Sequence, residues 1–324
     1  MNAQRSLTYL RYAVLLLAAC LCVYGIWTWS GRPAPAGASH HAGGTGARPA
    51  TYRSSKKYYS DKVIVLMYHD VSPRPLNDKT LTVDRFDKQL RLMKDAGFHW
   101  ITMDQYMDFI TKHKPVPDNA VLLTFDDGYE SLYRYAYPVL KKYHAPAVGF
   151  LIVETVGNPA IKGIPKVTWD QVKEMKANGL AFYSHSYYSH MEEPVSPASK
   201  RVRGILAAPI YGLKNGVKRT ETREEYLARM TSDLEKADRK LRQELGNTRK
   251  ALAFPYGDYS PDLLKVCRKL GIDVTFTVKR GINGHRDWVG YRVNAGGMAD
   301  DPAALIRDME QAIPPVRGGN TKAA

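Results

Sequence analysis

Two acidic residues stand side by side at Asp126-Asp127, directly after the apolar Val121-Leu122-Leu123 and just before Gly128. Adjacent carboxylates at the end of a buried strand repel each other, so they call for a cation. A metal ion would supply it, with one Asp as ligand and the other free as a base. Asp-Asp-Gly is also good turn chemistry, so this segment alone leaves both readings open. A second polar set, Ser184-His185-Ser186-Tyr187-Tyr188-Ser189-His190, follows the apolar run 180–183. Two histidines five apart can fold back onto one ion, because imidazole is the commonest zinc donor. Histidines in a surface loop are the plain alternative. One Asp and two His would leave positions open for water and substrate, the pattern of a catalytic metal site. His69, in Met67-Tyr68-His69-Asp70 after a first apolar run, stands where proton transfer is reasonable. Phe254-Pro255-Tyr256-Gly257, after a further run, offers a rigid turn, an aromatic wall and backbone N–H groups suited to an oxyanion.

These sets need elements that bring them to one face. Short apolar runs at 63–68, 120–125, 147–153, 180–183, 251–254, 272–278 and 288–293 read as strands. Helical patterns lie between them at 83–97, 131–143 around Pro138, from Thr168 to Asn178-Gly179, 221–245, from Ser260-Pro261 to Gly271, and from Asp301-Pro302 onward. This alternation argues an α/β fold with a parallel sheet wrapped as a (β/α) barrel. Chemistry in such a fold gathers at the carboxyl ends of strands, where the polar sets stand. Cys267 falls on a helical pattern and reads as a small core residue.

Thr124-Phe125-Asp126-Asp127-Gly128, the later His-Ser-x-x-x-His and Phe-Pro-Tyr-Gly resemble the polysaccharide deacetylases of carbohydrate esterase family 4, the NodB-homology domain. The Met67–Val71 stretch followed by Thr124–Tyr129 is similar to the branch that deacetylates poly-β-1,6-N-acetylglucosamine, a biofilm polymer. The resemblance spans about residues 62–312 and implies a distorted barrel of the NodB type. It implies Asp126 as general base, and Asp127, His185 and His190 as ligands of a divalent metal. Zinc leads, with cobalt, nickel and iron also suited to that donor set. It implies His69 as general acid and the Tyr256 N–H as oxyanion donor. Tyr187, Trp288 and Arg292 are the candidate substrate-binding residues, and Asp287-Trp288 is faintly similar to the family's fourth motif. Many members carry an Arg just before the Pro-Tyr-Gly turn, where this chain has Ala253-Phe254. Arg292, after a late strand, is the candidate substitute for orienting Asp126. No late Leu-x-x-His is present, and His285 is the only substitute for His69.

The chain has 324 residues and a formal net charge of +15, which favours anionic surroundings. Residues 12–29 carry no charge and would span about 27 Å as a helix, close to the hydrocarbon thickness of a bilayer. With Arg5 and Arg11 ahead of it, this segment reads as a signal-anchor with residues 1–11 in the cytoplasm and the remainder outside. A cleaved signal peptide or a lipoprotein are the other readings, and all three argue against a nucleic-acid partner. Residues 30–62, rich in Gly, Ala and Pro, read as a flexible linker. A catalytic domain at 63–312 and a disordered tail at 313–324 complete the expected organisation. The stretch 194–220 holds six Lys or Arg and no acid, so anionic wall polymer or lipid headgroups are its candidate partners. The functional expectation is an N-acetylglucosamine polysaccharide deacetylase of the cell surface. A peptidoglycan or chitin-oligomer deacetylase, or an inactive glycan-binding domain, are the alternatives. A glycosidase would want its two carboxylates about 5–9 Å apart on separate elements.

Overall fold

The computed structural model describes residues 56–75, 80–194, 196, 202–214, 217–297 and 301–313. The expected anchor at 12–29, most of the expected linker and most of the expected tail lie outside them. Among the described residues no helix is long and apolar enough to cross a membrane. Tyr58 and Tyr59, within the expected linker, pack on Phe98, and the Tyr59 hydroxyl donates to the Ala120 carbonyl. At the other end Ile313 is buried in the same core.

Nine strands form one sheet: β1 (Val63–Tyr68), β2 (His99–Trp100), β3 (Ala120–Phe125), β4 (Val148–Leu151), β5 (Ala181–Ser184), β6 (Ala251–Ala253), β7 (Val274–Phe276), β8 (Val289–Gly290) and β9 (Val293–Asn294). Every ladder is parallel. The order is β8-β7-β6-β5-β4-β3-β1-β9, with β2 also paired to β3. The run expected as one strand at 288–293 is therefore two, one at each edge of the sheet. Only Tyr291 and Arg292 separate them, so the edges lie within about 11 Å of each other. The sheet is an open barrel whose seam is spanned by those two residues.

The helices are α1 (Val83–Asp95), α2 (Met103–Lys112), α3 (Tyr137–Tyr143), α4 (Trp169–Ala177), α5 (Arg223–Leu245), α6 (Pro261–Lys269) and α7 (Pro302–Glu310). Helices α2, α4 and α5 each begin with a reciprocal capping box, Thr102 with Gln105, Thr168 with Gln171 and Thr222 with Glu225. Such a cap contributes about 1 kcal/mol. Ahead of α3, Leu132–Ala136 forms a π-turn in which the Tyr137 N–H reaches back to the Leu132 carbonyl. Pro138 brings no N–H to the next rung, and the widened turn absorbs that loss.

Strand alternation sorts the core into two faces. Val63, Val65, Ala120, Leu122, Phe150 and Phe276 point into the barrel and meet Tyr106 and Phe109 of α2. Ile64, Leu66, Val121 and Leu123 point outward into the core shared with α1 and α7. Arg249, just ahead of β6, pairs with Asp108 of α2 at 2.8 Å. Helix α2, which no sequence pattern above anticipates, therefore closes the amino end of the barrel and leaves the carboxyl end open.

The Tyr106 hydroxyl is buried in that plug with no hydrogen-bond partner among the described residues. Tyr106→Phe is expected to be neutral or to stabilise by up to about 1 kcal/mol in urea denaturation, since it removes an uncompensated polar group. A loss of more than about 1 kcal/mol would show that the hydroxyl has a partner after all.

Candidate active site

The inward rows of the barrel run out at polar residues. On β1 the row 63, 65, 67 continues to His69; on β3 the row 120, 122, 124 continues to Asp126; on β5 the row 181, 183 continues to His185. Arg292 precedes the outward Val293 of β9 and so faces inward. The strand period of two thus delivers four of the expected site residues to one rim.

Asp126 is 2% exposed and Arg292 is fully buried, with Arg292 Nη1 2.8 Å from Asp126 Oδ1. Arg292 Nε also donates to the Thr277 carbonyl at 3.0 Å, which fixes the guanidinium plane. Burial pushes the Asp126 carboxyl up, but the charge and hydrogen bond of Arg292 hold the group well below the usual carboxylate range. Asp126 Oδ2 lies 4.0 Å from both His69 Nε2 and His185 Nε2. His69 is the half-open member, with its side chain 36% exposed.

Asp127 continues the strand, yet its side chain turns back into the site because its φ of 69° is left-handed. Gly128 follows at φ 65°, where a Cβ would come within 2.9 Å of Leu151 Cδ2. Lys166 Nζ donates to the Asp127 carbonyl at 2.9 Å and holds that peptide. Asp127 Oδ1 then sits 3.5 Å from His185 Nε2 and 3.2 Å from His190 Nε2. The three ligand atoms lie within 4.8 Å of one another. Asp127 Oδ1 is buried without a hydrogen-bond partner among the described residues. His185 Nδ1 lies 2.8 Å from the Ala253 carbonyl, so it carries the proton and leaves the Nε2 lone pair facing Asp127. Burial holds the His185 pKa down to about 4, which keeps the ring neutral at pH 7. An orphaned carboxylate oxygen and two imidazole nitrogens converging on one point fit a divalent ion.

Tyr256 is likewise left-handed, at φ 57°. Its ring lies 4.5 Å from that of His190, and its hydroxyl donates to the His190 carbonyl at 3.3 Å. A Cβ on the following Gly257 would come 2.5 Å from Val278 Cγ2, so the turn has no room for a larger residue.

Of the three candidate substrate-binding residues, Trp288 lies away from the open rim and Arg292 is fully buried. Trp288 packs under the Arg268 guanidinium, 3.7 Å from the ring centre, and donates its indole N–H to the Ile272 carbonyl. It lies at the foot of β8, because the Gly284–Asp287 turn delivers it to the amino end of the strand. Asp287 accepts from the Gly284 N–H in that turn. Tyr187 bonds Glu154 through its hydroxyl, and Lys236 of α5 lies 5.9 Å from its ring centre. Arg292, being fully buried, cannot line a groove and serves Asp126 instead. His285 stacks on Phe109 and bonds Asp61 at 2.7 Å, at the amino end of the barrel. It is no substitute for His69.

Sequence patterning missed Lys166 and Asp233. The second accepts three hydrogen bonds from the loop between the two histidines. Its only signal was an acid in the buried stripe of α5 formed by Tyr226, Met230, Leu234 and Ala237. Two cations of the basic stretch are also neutralised: Arg203 makes a bidentate pair with Asp258, and Arg219 with Glu225.

Arg292→Met should leave the Asp126 charge buried and unpaired, at a cost of about 3–5 kcal/mol in urea denaturation. Combining it with Asp126→Leu should recover most of that loss. Equal stability of wild type and Arg292→Met would contradict the ion pair.

The polysaccharide deacetylase family profile matches residues 113–275, half of the chain. The poly-β-1,6-N-acetyl-D-glucosamine N-deacetylase of Staphylococcus epidermidis is 28% identical over 238 residues, covering 69% of this chain and 74% of that protein. Its counterpart in Staphylococcus aureus strain MRSA252 is 26% identical over the same shares. Among solved structures, a de-N-acetylase from Aggregatibacter actinomycetemcomitans superposes with a TM-score of 0.69 at 25% identity, covering 77% of this chain and all of that one. IcaB from Ammonifex degensii gives 0.63 at 28% identity, covering 78% and 98%. With this fold and these residues at its open end, the chain belongs to the polysaccharide deacetylase family and is a hydrolase of amide bonds.

Proposed function

We propose that the chain is a metal-dependent N-deacetylase acting on N-acetylglucosamine units of an extracellular polysaccharide, poly-β-1,6-N-acetylglucosamine. The observation that carries this reading is the division between the adjacent carboxylates: Asp126 is paired with Arg292, while the orphaned Asp127 Oδ1 faces two imidazole nitrogens. The named activity of the staphylococcal relatives supports the β-1,6 polymer. The apolar segment 12–29 supports a membrane-anchored enzyme with its catalytic domain outside the cytoplasm.

Asp127, His185 and His190 would hold a divalent ion, and zinc suits two imidazoles and a carboxylate. When bound, the ion would supply a Lewis acid and a water of lowered pKa. The chain's own residues do the remainder. Asp126, held ionised by Arg292, takes a proton from the water as its oxygen bonds to the acetamide carbon. The Tyr256 N–H donates to the oxyanion that develops on the former carbonyl oxygen. His69 gives a proton to the nitrogen as the C–N bond breaks, releasing acetate and a glucosamine unit. Its partial exposure suits a group that must reach a polymer in an open groove.

Acetate release from β-1,6-linked acetylglucosamine oligomers, chitin oligomers and peptidoglycan, with and without chelator, tests the reading. Turnover on the β-1,6 oligomers alone, lost with chelator and restored by zinc, is expected. Full activity in metal-free protein would overturn the mechanism, and preference for chitin or peptidoglycan would overturn the substrate.

The paired aspartates should separate. Asp126→Asn is expected to bind metal and lose turnover, whereas Asp127→Asn binds metal weakly. His69→Ala should bind metal normally, slow acetamide cleavage by about 10²–10⁴-fold, and lose less on activated esters. Wild-type acetamide rates in His69→Ala would remove it from the mechanism.

A further inference from the structure

The loop that carries the two histidine ligands is held from behind by one buried acid. Asp233 lies midway along α5, well away in sequence, and is 9% exposed. Its Oδ1 accepts from the Tyr187 N–H at 2.8 Å, and its Oδ2 accepts from the Tyr188 N–H at 2.9 Å and the Ser189 hydroxyl at 2.8 Å. Three consecutive residues between His185 and His190 thus donate to a single carboxylate.

This loop needs such a tie. Ser186 sits at φ 94°, a conformation an L-residue adopts only under constraint. The Ser186 and Tyr187 carbonyls accept from Val153 and Glu154 on the opposite side. Ser184 and Ser186 hydroxyls satisfy the N–H groups of Ser186 and Ser189. Asp233 accepts from the Tyr187 and Tyr188 N–H groups and the Ser189 hydroxyl, and it brings a charge to acceptors that are otherwise serine hydroxyls for the N–H groups of this segment. Hydrogen bonds to an ionised acceptor are about twice as strong as neutral ones, so the carboxylate contributes more than an amide would.

We infer that Asp233 is a positioning residue that sets the separation of His185 and His190 and so tunes the affinity of the metal site. This rests on the reading that Asp127, His185 and His190 hold a divalent ion. Asp233 touches none of the three; it acts through the peptide that joins two of them. Groups that orient metal ligands typically cost 10–100-fold in affinity when changed.

The test measures zinc and cobalt affinity of the full chain by competition with a chromophoric chelator, for wild type, Asp233→Ala and Asp233→Asn. The thermal midpoint of each metal-free protein is recorded alongside. Asp233→Ala should bind zinc at least tenfold more weakly and change the visible spectrum of the cobalt form, with Asp233→Asn between it and wild type. Acetate release by Asp233→Asn should recover toward wild type as zinc is raised, which a purely structural lesion would not do. Wild-type affinity and an unchanged cobalt spectrum in both variants would overturn the inference. If Asp233→Ala fails to fold, Asp233→Asn decides by the same criterion. Absence of metal binding by wild type would instead overturn the metal-site reading, and this inference with it.

Discussion

Two carboxylates cannot be buried side by side unless each is given its own counter-charge. In this protein the two face different partners. Asp126 turns inward along the strand row and meets Arg292 within the barrel, whereas Asp127 is turned by a left-handed backbone toward two imidazoles. The same constraint that makes the pair costly also makes it useful, because unequal environments give two like groups unequal tasks. One is held ionised and free of ligands, fit to accept a proton. The other keeps a buried oxygen without a partner, fit to bind an ion.

The barrel exists around that arrangement. Its inward rows end at His69, Asp126 and His185, so the sheet's alternation does the positioning and few loop residues are needed. Where loops do contribute, the backbone is strained: Asp127, Ser186 and Tyr256 all have positive φ without being glycine. Such conformations cost about 1–3 kcal/mol each and persist only where the surroundings over-determine them. Lys166 on the Asp127 carbonyl, Asp233 under the histidine loop, and Val278 crowding Gly257 supply those surroundings. The chain therefore spends stability at the rim, which the closed, plugged amino end of the barrel offsets.

The alternation of apolar runs and helical patterns was enough to anticipate a parallel, barrel-like sheet, and polar residues directly after those runs pointed to the rim. Asp126, Asp127, His185, His190 and His69 come together because they are local to strand ends, where sequence order and spatial position coincide. What escaped was set by distant contacts. The segment 288–293 looked like one strand, and nothing in its composition told that Tyr291-Arg292 would cross the barrel seam. Arg292 was expected both as a groove residue and as the orienting cation. Only its full burial against Asp126 separates those roles. Trp288, named for the faint likeness to the fourth motif, packs under Arg268 of α6, and Tyr187 lies beside Lys236 of α5; both helices are legible in the sequence, but which side chains they take up is not. Asp233 was concealed for the same reason, since its partners, two backbone N–H groups and one serine hydroxyl, lie 44 to 46 residues away.

The central claim is that Asp127, His185 and His190 form a ligand set from which Asp126 is excluded. X-ray absorption at the zinc edge, on protein reconstituted with one equivalent, tests it most directly. The account predicts two imidazole nitrogens and carboxylate or water oxygens at about 2.0–2.2 Å, lost in His190→Ala and unchanged in Asp126→Asn. A zinc environment without imidazole, or one altered by Asp126→Asn as much as by Asp127→Asn, would contradict it.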